Sequence, residues 1–491
     1  MPFAGLGKEP LLLGTMMQDC TNRRPEPARR RISGRAGRRL ASLLSGTALA
    51  LLGSAASAET LREAWTKAYY SNPTLEAQRA QLRATDERVN QALSGWRPTV
   101  QAGATAGIAT QDSNLVLAGS QTLYPKTLSL SLRQPIYRGG RTTALTSRAE
   151  RDVETQRARL VAAEQQLMLD VAVAYMAVLR DQAVLELNRN NERVITRQLE
   201  AARDRFSVGE VTRTDVAQAE ARLARALADR IQAEGNLEVS RTAYERLVGE
   251  PPGALAPPTL PQDLPASRDQ AIAVALEGNP TVFAAQFAAL SAQDNIRAVR
   301  GELYPTVNLN AGLSRDYDRT TSGSRVDLAS LAAELTVPLY QAGAVASRVR
   351  EAKEVAGQAL TQIEEARRAA IESATESWEN LTTARARIQS LQTQIAAAEI
   401  ALEGVQQEAL VGTRTVLDVL DAEQELLDAR VNLVVSQRDF AVATLSLAAA
   451  IGTLTAERLQ LPVDYYDPNV HYEYVRNKWW GTDPTPPVNS R

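Results

Sequence analysis

The stretch Thr127 to Gly140, TLSLSLRQPIYRGG, changes its period part-way along, and that change decides the fold. Leu128, Leu130 and Leu132 alternate with Thr127, Ser129, Ser131 and Arg133, the two-residue period of a strand with one apolar and one polar face. Gln134-Pro135-Ile136-Tyr137 follows, and from Gly140 to Phe206 there is no proline. A run of that length without a breaker reads as one very long helix. A short amphipathic strand feeding a long helix is therefore the local unit.

The unit occurs twice. Asn72-Pro73-Thr74 returns as Asn279-Pro280-Thr281 and Pro98-Thr99-Val100 as Pro305-Thr306-Val307, both 207 residues later. Gln134-Pro135-Ile136-Tyr137 corresponds to Val337-Pro338-Leu339-Tyr340, and Gly209, Asp215 and Gly249 to Gly412, Asp418 and Gly452, all at 203. The four-residue change lies between Pro98 and Pro135, so that interval carries a loop and the rest is framework. The first repeat, 59–248, reads as a helix over 60–95, strands near 99–109 and 127–136, a long helix over 140–206 and a helix over 213–248. A linker at 249–265 holds six prolines. The second repeat, 266–461, carries strands near 306–314 and 329–338, a long helix over 343–409 and a helix over 415–451. An aromatic tail, 462–491, ends the chain.

Each alternating segment approaches the roughly 9–11 residues that cross a bilayer as a tilted strand. Thr306 to Leu313 alternates as clearly as Thr127 to Arg133, Val100 to Ile108 more weakly, and Leu331, Ala333, Leu335 and Val337 mark the fourth. Polar loops at 111–122 and 315–326 lie between them. The same alternation fits a four-stranded sheet in a water-soluble protein. If the strands span lipid, four cannot close, because about eight is the smallest closed barrel, so the chain must oligomerise. Arg133 and Glu334 fall on the polar strand face, as lining of a barrel interior would.

At ~1.5 Å per residue the long helix over 140–206 extends about 100 Å, and two helices of about 36 residues stacked end to end match it. The fold class is thus mainly α with a membrane β-barrel portion: long helices stand as a rod, with the linker and both chain ends at its waist. Leu417, Leu420, Gln424, Leu427, Val431, Val434, Arg438 and Ala441 keep coiled-coil spacing, as do Thr214, Ala217, Ala221, Ala224, Ala228 and Ile231. A cytosolic coiled-coil rod would share that spacing, but not the strands or the leader described next.

Residues 1–58 read as a targeting segment. Arginines at 29, 30, 31, 35, 38 and 39 precede an apolar stretch, Leu40 to Leu52, and Ala56-Ser57-Ala58 fits a cleavage site. A disordered tail is the plainer alternative, and Met16 or Met17 is an alternative start. Cys20, the only cysteine, lies in this segment and is not preceded by a lipoprotein-like small residue. Nine of the 55 basic and three of the 57 acidic residues fall in 1–58, leaving 46 and 54, a net charge of −8. That balance points away from nucleic acid as a partner. His471 is the only histidine, which excludes a histidine-built nucleophile or metal cluster. After residue 58 no run of 18 apolar residues occurs.

With these motifs in place, the chain resembles the TolC family of trimeric outer-membrane export channels. The resemblance covers about residues 59–461 and rests on Asn72-Pro73, Trp96-Arg97-Pro98, Gln134-Pro135-Ile136-Tyr137 and Val411 to Gln424, VGTRTVLDVLDAEQ. It implies a homotrimer sharing a twelve-stranded barrel, continuous with a periplasmic helical tunnel. It also implies a periplasmic adaptor (membrane fusion) protein and an inner-membrane ABC or RND-type transporter as partners, outer-membrane lipid around the barrel, and no enzymatic activity or cofactor. Cargo could be drugs, metal ions or secreted proteins.

By the same resemblance Gly209 and Gly412 mark turns at the periplasmic tip, where the family's tunnel is closed. Asp418 and Asp421 stand where the family has its constricting acids, and Arg414, Thr214 and Asp215 where it has entrance latches. The family's tyrosine three residues before the second glycine is Ala409 here. Thr212 with Asp215 and Thr415 with Asp418 also fit helix-capping boxes, so a cap and a gate both remain open for those acids. Asp421, six residues past Thr415, is beyond that cap. The tail, with Tyr465, Tyr466, Tyr472, Tyr474, Trp479 and Trp480, is expected to pack around the waist rather than against the membrane. The alternative function is a periplasmic coiled-coil adaptor bridging a pump to a separate channel; it lacks a reason for two strand–helix repeats. A carboxylate hydrolase is more distant still, without histidine or a loop motif to carry it.

Overall fold

The structure is a computed structural model that describes residues 58–112, 120–261 and 263–483. The targeting segment, apart from Ala58, and most of the 111–122 loop lie outside the described residues.

The expected opening helix over 60–95 is two helices, α1 (Leu61–Ser71) and α2 (Pro73–Leu93). The break is written in the repeated motif. Pro73 has no N–H to continue α1 and forces the preceding residue out of helical geometry. Asn72 accordingly takes φ −74°, ψ 119°, and its Oδ1 accepts from the amides of Thr74 (2.9 Å) and Leu75 (3.3 Å). Asn279 repeats this at φ −75°, ψ 119° between α5 (Arg268–Gly278) and α6 (Pro280–Arg300).

The strands are β1 (Thr99–Ala106), short β2 (Ala109–Gln111) and β3 (Gln121–Leu123), β4 (Lys126–Arg138), β5 (Thr306–Tyr317) and β6 (Arg325–Thr336). β2 and β3 pair with each other; the main sheet has order β1-β4-β5-β6, antiparallel throughout. Its register aligns Val100, Leu132, Ala311 and Leu331 in one row and Ala102, Leu130, Leu313 and Ala329 in the next. The opposite face aligns Arg133 with Asn310, and Asn308 with Glu334. One face is therefore apolar and exposed, the other polar. Toward the loop end the apolar rows stop at Arg315, which pairs with Asp327 (2.6 Å). β1 and β6 have no further strand partner among the described residues of this sheet.

α3 (Arg141–Ser207) and α7 (Ala344–Leu410) have 67 residues each, about 100 Å at ~1.5 Å per residue. α4 (Arg213–Val248) and α8 (Val416–Ala450) return from them. α2 lies along the first half of α3, with Gln156 reaching Gln78 (3.3 Å). α4 lies along the second half, with Arg189 on Glu234 (3.3 Å) and Arg203 on Glu220 (2.7 Å). Halfway along α3, the Tyr175 hydroxyl lies between the carbonyls of Glu59 (2.7 Å) and Ala256 (2.6 Å), which share its one donor proton. The Pro-rich linker is thus fixed at mid-helix, where Trp65, Tyr69, Met168, Tyr175, Tyr244, Leu445 and Leu454 form the main core.

The register of α4 differs from expectation. Ala217, Ala221, Ala224, Ala228 and Ile231 are exposed, and the buried stripe is Ala219, Ala226, Ala233 and Leu237. Alanine occupies both stripes, so spacing alone could not choose between them. α8 keeps the expected stripe, with Leu420, Leu427 and Ala441 buried. It is also the one described helix long and apolar enough by composition to cross a membrane, yet 44% of its most apolar window is already buried within the protein.

The tail also departs from expectation, because it does not stay at the waist. It starts there, with the Tyr70 hydroxyl accepting from Asp464 N (2.8 Å) and Tyr69 from Tyr466 N (3.0 Å). A short helix, α9 (Pro468–Arg476), then packs along α2. His471 Nδ1 lies 2.9 Å from the buried Asp86, and Arg476 pairs with Glu150 (2.8 Å). The Lys478 carbonyl accepts from Asn90 and Arg97 (both 3.0 Å), two residues before β1 begins.

Candidate functional site

The two hairpin tips, α3–α4 and α7–α8, are built alike. Each long helix ends on a glycine in left-handed geometry, Gly209 (φ 83°) and Gly412 (φ 81°). A side chain is disfavoured there, and the turn closes the last carbonyls: Gly209 N donates to Phe206 O (3.0 Å), Glu210 N to Arg205 O (2.9 Å), and Thr413 N to Glu408 O (3.0 Å).

The next helix starts on a capping box in both hairpins. The Asp215 amide donates to Thr212 Oγ1 (3.3 Å) while its carboxylate accepts from Thr212 N and Oγ1 (both 2.8 Å). Asp418 does the same with Thr415, at 3.3, 2.9 and 2.8 Å. These bonds to the Thr415 amide and hydroxyl hold the Asp418 carboxyl below the usual carboxylate range. Both acids are helix caps in this structure.

Asp421, one helical turn on, is not a cap. Its carboxylate meets the Arg222 guanidinium of α4, an ion pair that links the two hairpins. Between the two acids Leu420 is 1% exposed and packs with Ile195, Leu199, Ala202, Ala219 and Ala226. An apolar cluster thus joins the two hairpins near the tip, and Asp418 and Asp421 flank its Leu420 in sequence. Arg414 bonds Glu408 within its own hairpin (2.9 Å), which raises its already high pKa further. It does not meet Thr214 or Asp215 in this protomer; Thr214 is exposed. Ala409 contributes only its carbonyl, which accepts from Gly412 N (3.3 Å). Deeper in, Glu423 accepts from Gln406 (3.2 Å), and burial pushes its carboxyl up. Among the described residues no group of His, Cys, Asp and Glu is placed to hold a metal ion.

Arg222 and Glu408 are the tip residues that sequence reasoning missed. A signal for Arg222 existed. At the repeat offset of 203, Asp421 corresponds to Gln218 and Arg222 to Glu425, so the two hairpins differ in charge where they otherwise match. The ion pair uses two positions at which the copies differ, Arg222 and Asp421.

The chain is similar to known proteins over most of its length. A family described as outer membrane efflux protein matches residues 65–250 and 271–453, the two repeats on either side of the linker. It is 35% identical over 442 residues to the outer membrane efflux protein BepC of Brucella suis, covering 90% of this chain and 95% of that one. It is 31% identical over 438 residues to the outer membrane protein TolC of Vibrio cholerae, covering 86% and 97%. The solved structure of the Campylobacter jejuni CmeC outer membrane channel superposes with a TM-score of 0.74 at 15% identity, over 85% of this chain and 89% of that one, a likeness of fold. With the duplicated strand–helix plan, the amphipathic sheet and these likenesses together, the chain belongs to the outer membrane efflux protein family and is an outer-membrane channel protein with a large periplasmic portion.

Proposed function

We propose that the chain works as a homotrimer in which three four-stranded sheets close one twelve-stranded barrel, the passive exit duct of a tripartite efflux or type I secretion system. The observation that carries this reading is the open sheet with an exposed apolar face and two edges, β1 and β6, unpaired among the described residues. Twelve strands exceed the roughly eight needed for closure, and closure removes both edges. The alanine stripe of α4 left exposed, Ala217 to Ala228, is the kind of small-residue surface on which a neighbouring helix can seat closely. A periplasmic adaptor and an inner-membrane ABC or RND-type transporter then act on the periplasmic end. Asp418 and Asp421 from three protomers ring that end, and Arg414, Thr214 and Asp215 are the latch candidates between neighbouring protomers.

Cysteines placed singly on β1 and on β6 test the assembly, since the chain after Cys20 has none. Co-expressed in one outer membrane and oxidised, β1 and β6 variants should cross-link to each other, and native mass spectrometry should give a trimer. A monomer in mild detergent, with no β1–β6 cross-link, overturns the reading.

A further inference from the structure

The C-terminal tail carries two exposed tryptophans, Trp479 (59% exposed) and Trp480 (86%), that the duct reading leaves without a role. Their position is fixed by a ladder of contacts climbing one stripe of α2 and continuing to Arg97, just past its end. Arg79 stacks on Tyr466, Asp86 meets His471, Asn90 donates to the Lys478 carbonyl, and the Arg97 guanidinium lies 4.8 Å from the Trp479 ring centre. Arg97 is two residues from the first residue of β1, so Trp479 sits at the base of the sheet, where the apolar strand rows begin.

The tail also lies on the outer side of the helical wall. Arg141, at the start of α3, shares a cleft with Arg133 and Asn308 and so faces the polar side of the sheet. The tail touches α3 at Glu150 and Arg157. These are nine and sixteen residues on from Arg141, which at ~100° per residue is about half a turn away on the helix surface. The face carrying the tail is therefore turned from the polar side toward the apolar one. Other apolar groups at the same level are exposed too: Trp96, Tyr137, Leu303 and Tyr340 all flank a strand end.

We infer that the tail is a strap that carries Trp479 and Trp480 into the phospholipid interface of the periplasmic leaflet, anchoring the channel at a fixed depth. Indole rings favour the boundary between headgroup and acyl chain, where one edge is wet and the other dry. Arg97 and Lys478 beside them supply cations suited to lipid phosphates. The inference rests on the outer-membrane placement and not on the trimer or the entrance acids.

The test is fluorescence of the full-length protein in vesicles made with brominated phosphatidylcholine, which quenches indoles in contact with lipid. The chain has five tryptophans, and Trp65 is buried. Trp96→Phe removes the other interfacial indole. That variant should still show strong lipid quenching, and adding Trp479→Phe and Trp480→Phe should remove most of it while channel conductance stays unchanged. Aqueous iodide should quench the two indoles several-fold less in vesicles than in detergent-free unfolded chain. If Trp479 and Trp480 are open to iodide and insensitive to brominated lipid, they face water as a protein-docking surface and the anchor is wrong. Loss of conductance together with unaltered quenching would also overturn it.

Discussion

Arg222 on α4 and Asp421 on α8 meet across the two hairpins and form the ion pair at the tip that joins the first repeat to the second. Asp421 remains about half exposed, so the pair adds little to folding, of the order of 0–1 kcal/mol. Its consequence is for the charge of the tip. Of the two candidate entrance acids, Asp421 is paired with an arginine, while the capping Asp418 has no arginine ion pair among the described residues.

Replacing the arginine should therefore uncover charge rather than unfold the protein. Arg222→Gln is expected to increase cation selectivity in planar bilayers, read from the reversal potential in a KCl gradient. The increase should shrink at high salt, where water-exposed charge is screened over about 3 Å at 1 M. Its thermal midpoint should stay within about 2 °C of wild type, as expected for an exposed pair. Unchanged selectivity would show that Asp421 does not face the conduction path.

The double change Asp418→Asn, Asp421→Asn should act in the opposite direction. Cation selectivity falls and block by multivalent cations weakens, because six carboxylates leave the proposed ring. Folding survives, since Thr415 still accepts from the amide at 418, and an asparagine side chain can still accept from Thr415. Loss of helix α8, seen as lost ellipticity, would mean that the Asp418 charge is a structural requirement.

Glu164 at the waist gives a pH test. Its carboxylate accepts from Ala456 N (2.7 Å), and burial, the larger effect, pushes its carboxyl above the ordinary value of 4.5. A carboxyl raised in the folded state favours folding below its ordinary value, and that contribution is lost as pH rises through the raised one. Glu164→Gln keeps the acceptor and removes the charge. It should melt higher than wild type at pH 7–8, with the difference vanishing near pH 4. A wild type that melts higher at pH 7 would show the carboxylate to be stabilised by Arg79 instead.

Tyr175→Phe deletes the hydroxyl that ties α3 to both Glu59 and Ala256. One donor proton shared between two carbonyls gives an expected loss of about 0.5–1.5 kcal/mol. Faster hydrogen exchange should appear at Glu59 and Ala256, whose amides take part in the same local pairing. Equal exchange in both proteins would mean that the linker holds without the tyrosine.

Much of this was legible in the residues. Strand positions followed from alternation, because a sheet wet on one face and apolar on the other leaves a clean two-residue period. Helix lengths followed from the absence of proline. The turn glycines and the capping threonines were readable because each does local work that few residue types can do. Three things were hidden. The break at Asn72 needed the repeated Asn-Pro to be taken as a helix start and not only as a marker of duplication. The register of α4 was lost among alanines that look the same on every face. The path of the tail depended on Asp86, Asn90 and Arg97, which lie almost 400 residues away in sequence and carry no local pattern pointing to it.

The linker, the start of α1 and the end of α8 are all gathered at the middle of α3. Below that level each hairpin is crossed by one tight turn and by no other covalent connection among the described residues. α4, with 36 residues, therefore extends from its fixed root as an arm of about 54 Å at ~1.5 Å per residue. On such an arm a rotation of one degree at the root moves the tip by about 1 Å, by the same helix length. A rotation of a few degrees about the core around Tyr175 and Tyr244 would therefore carry the far end by about the diameter of an ion.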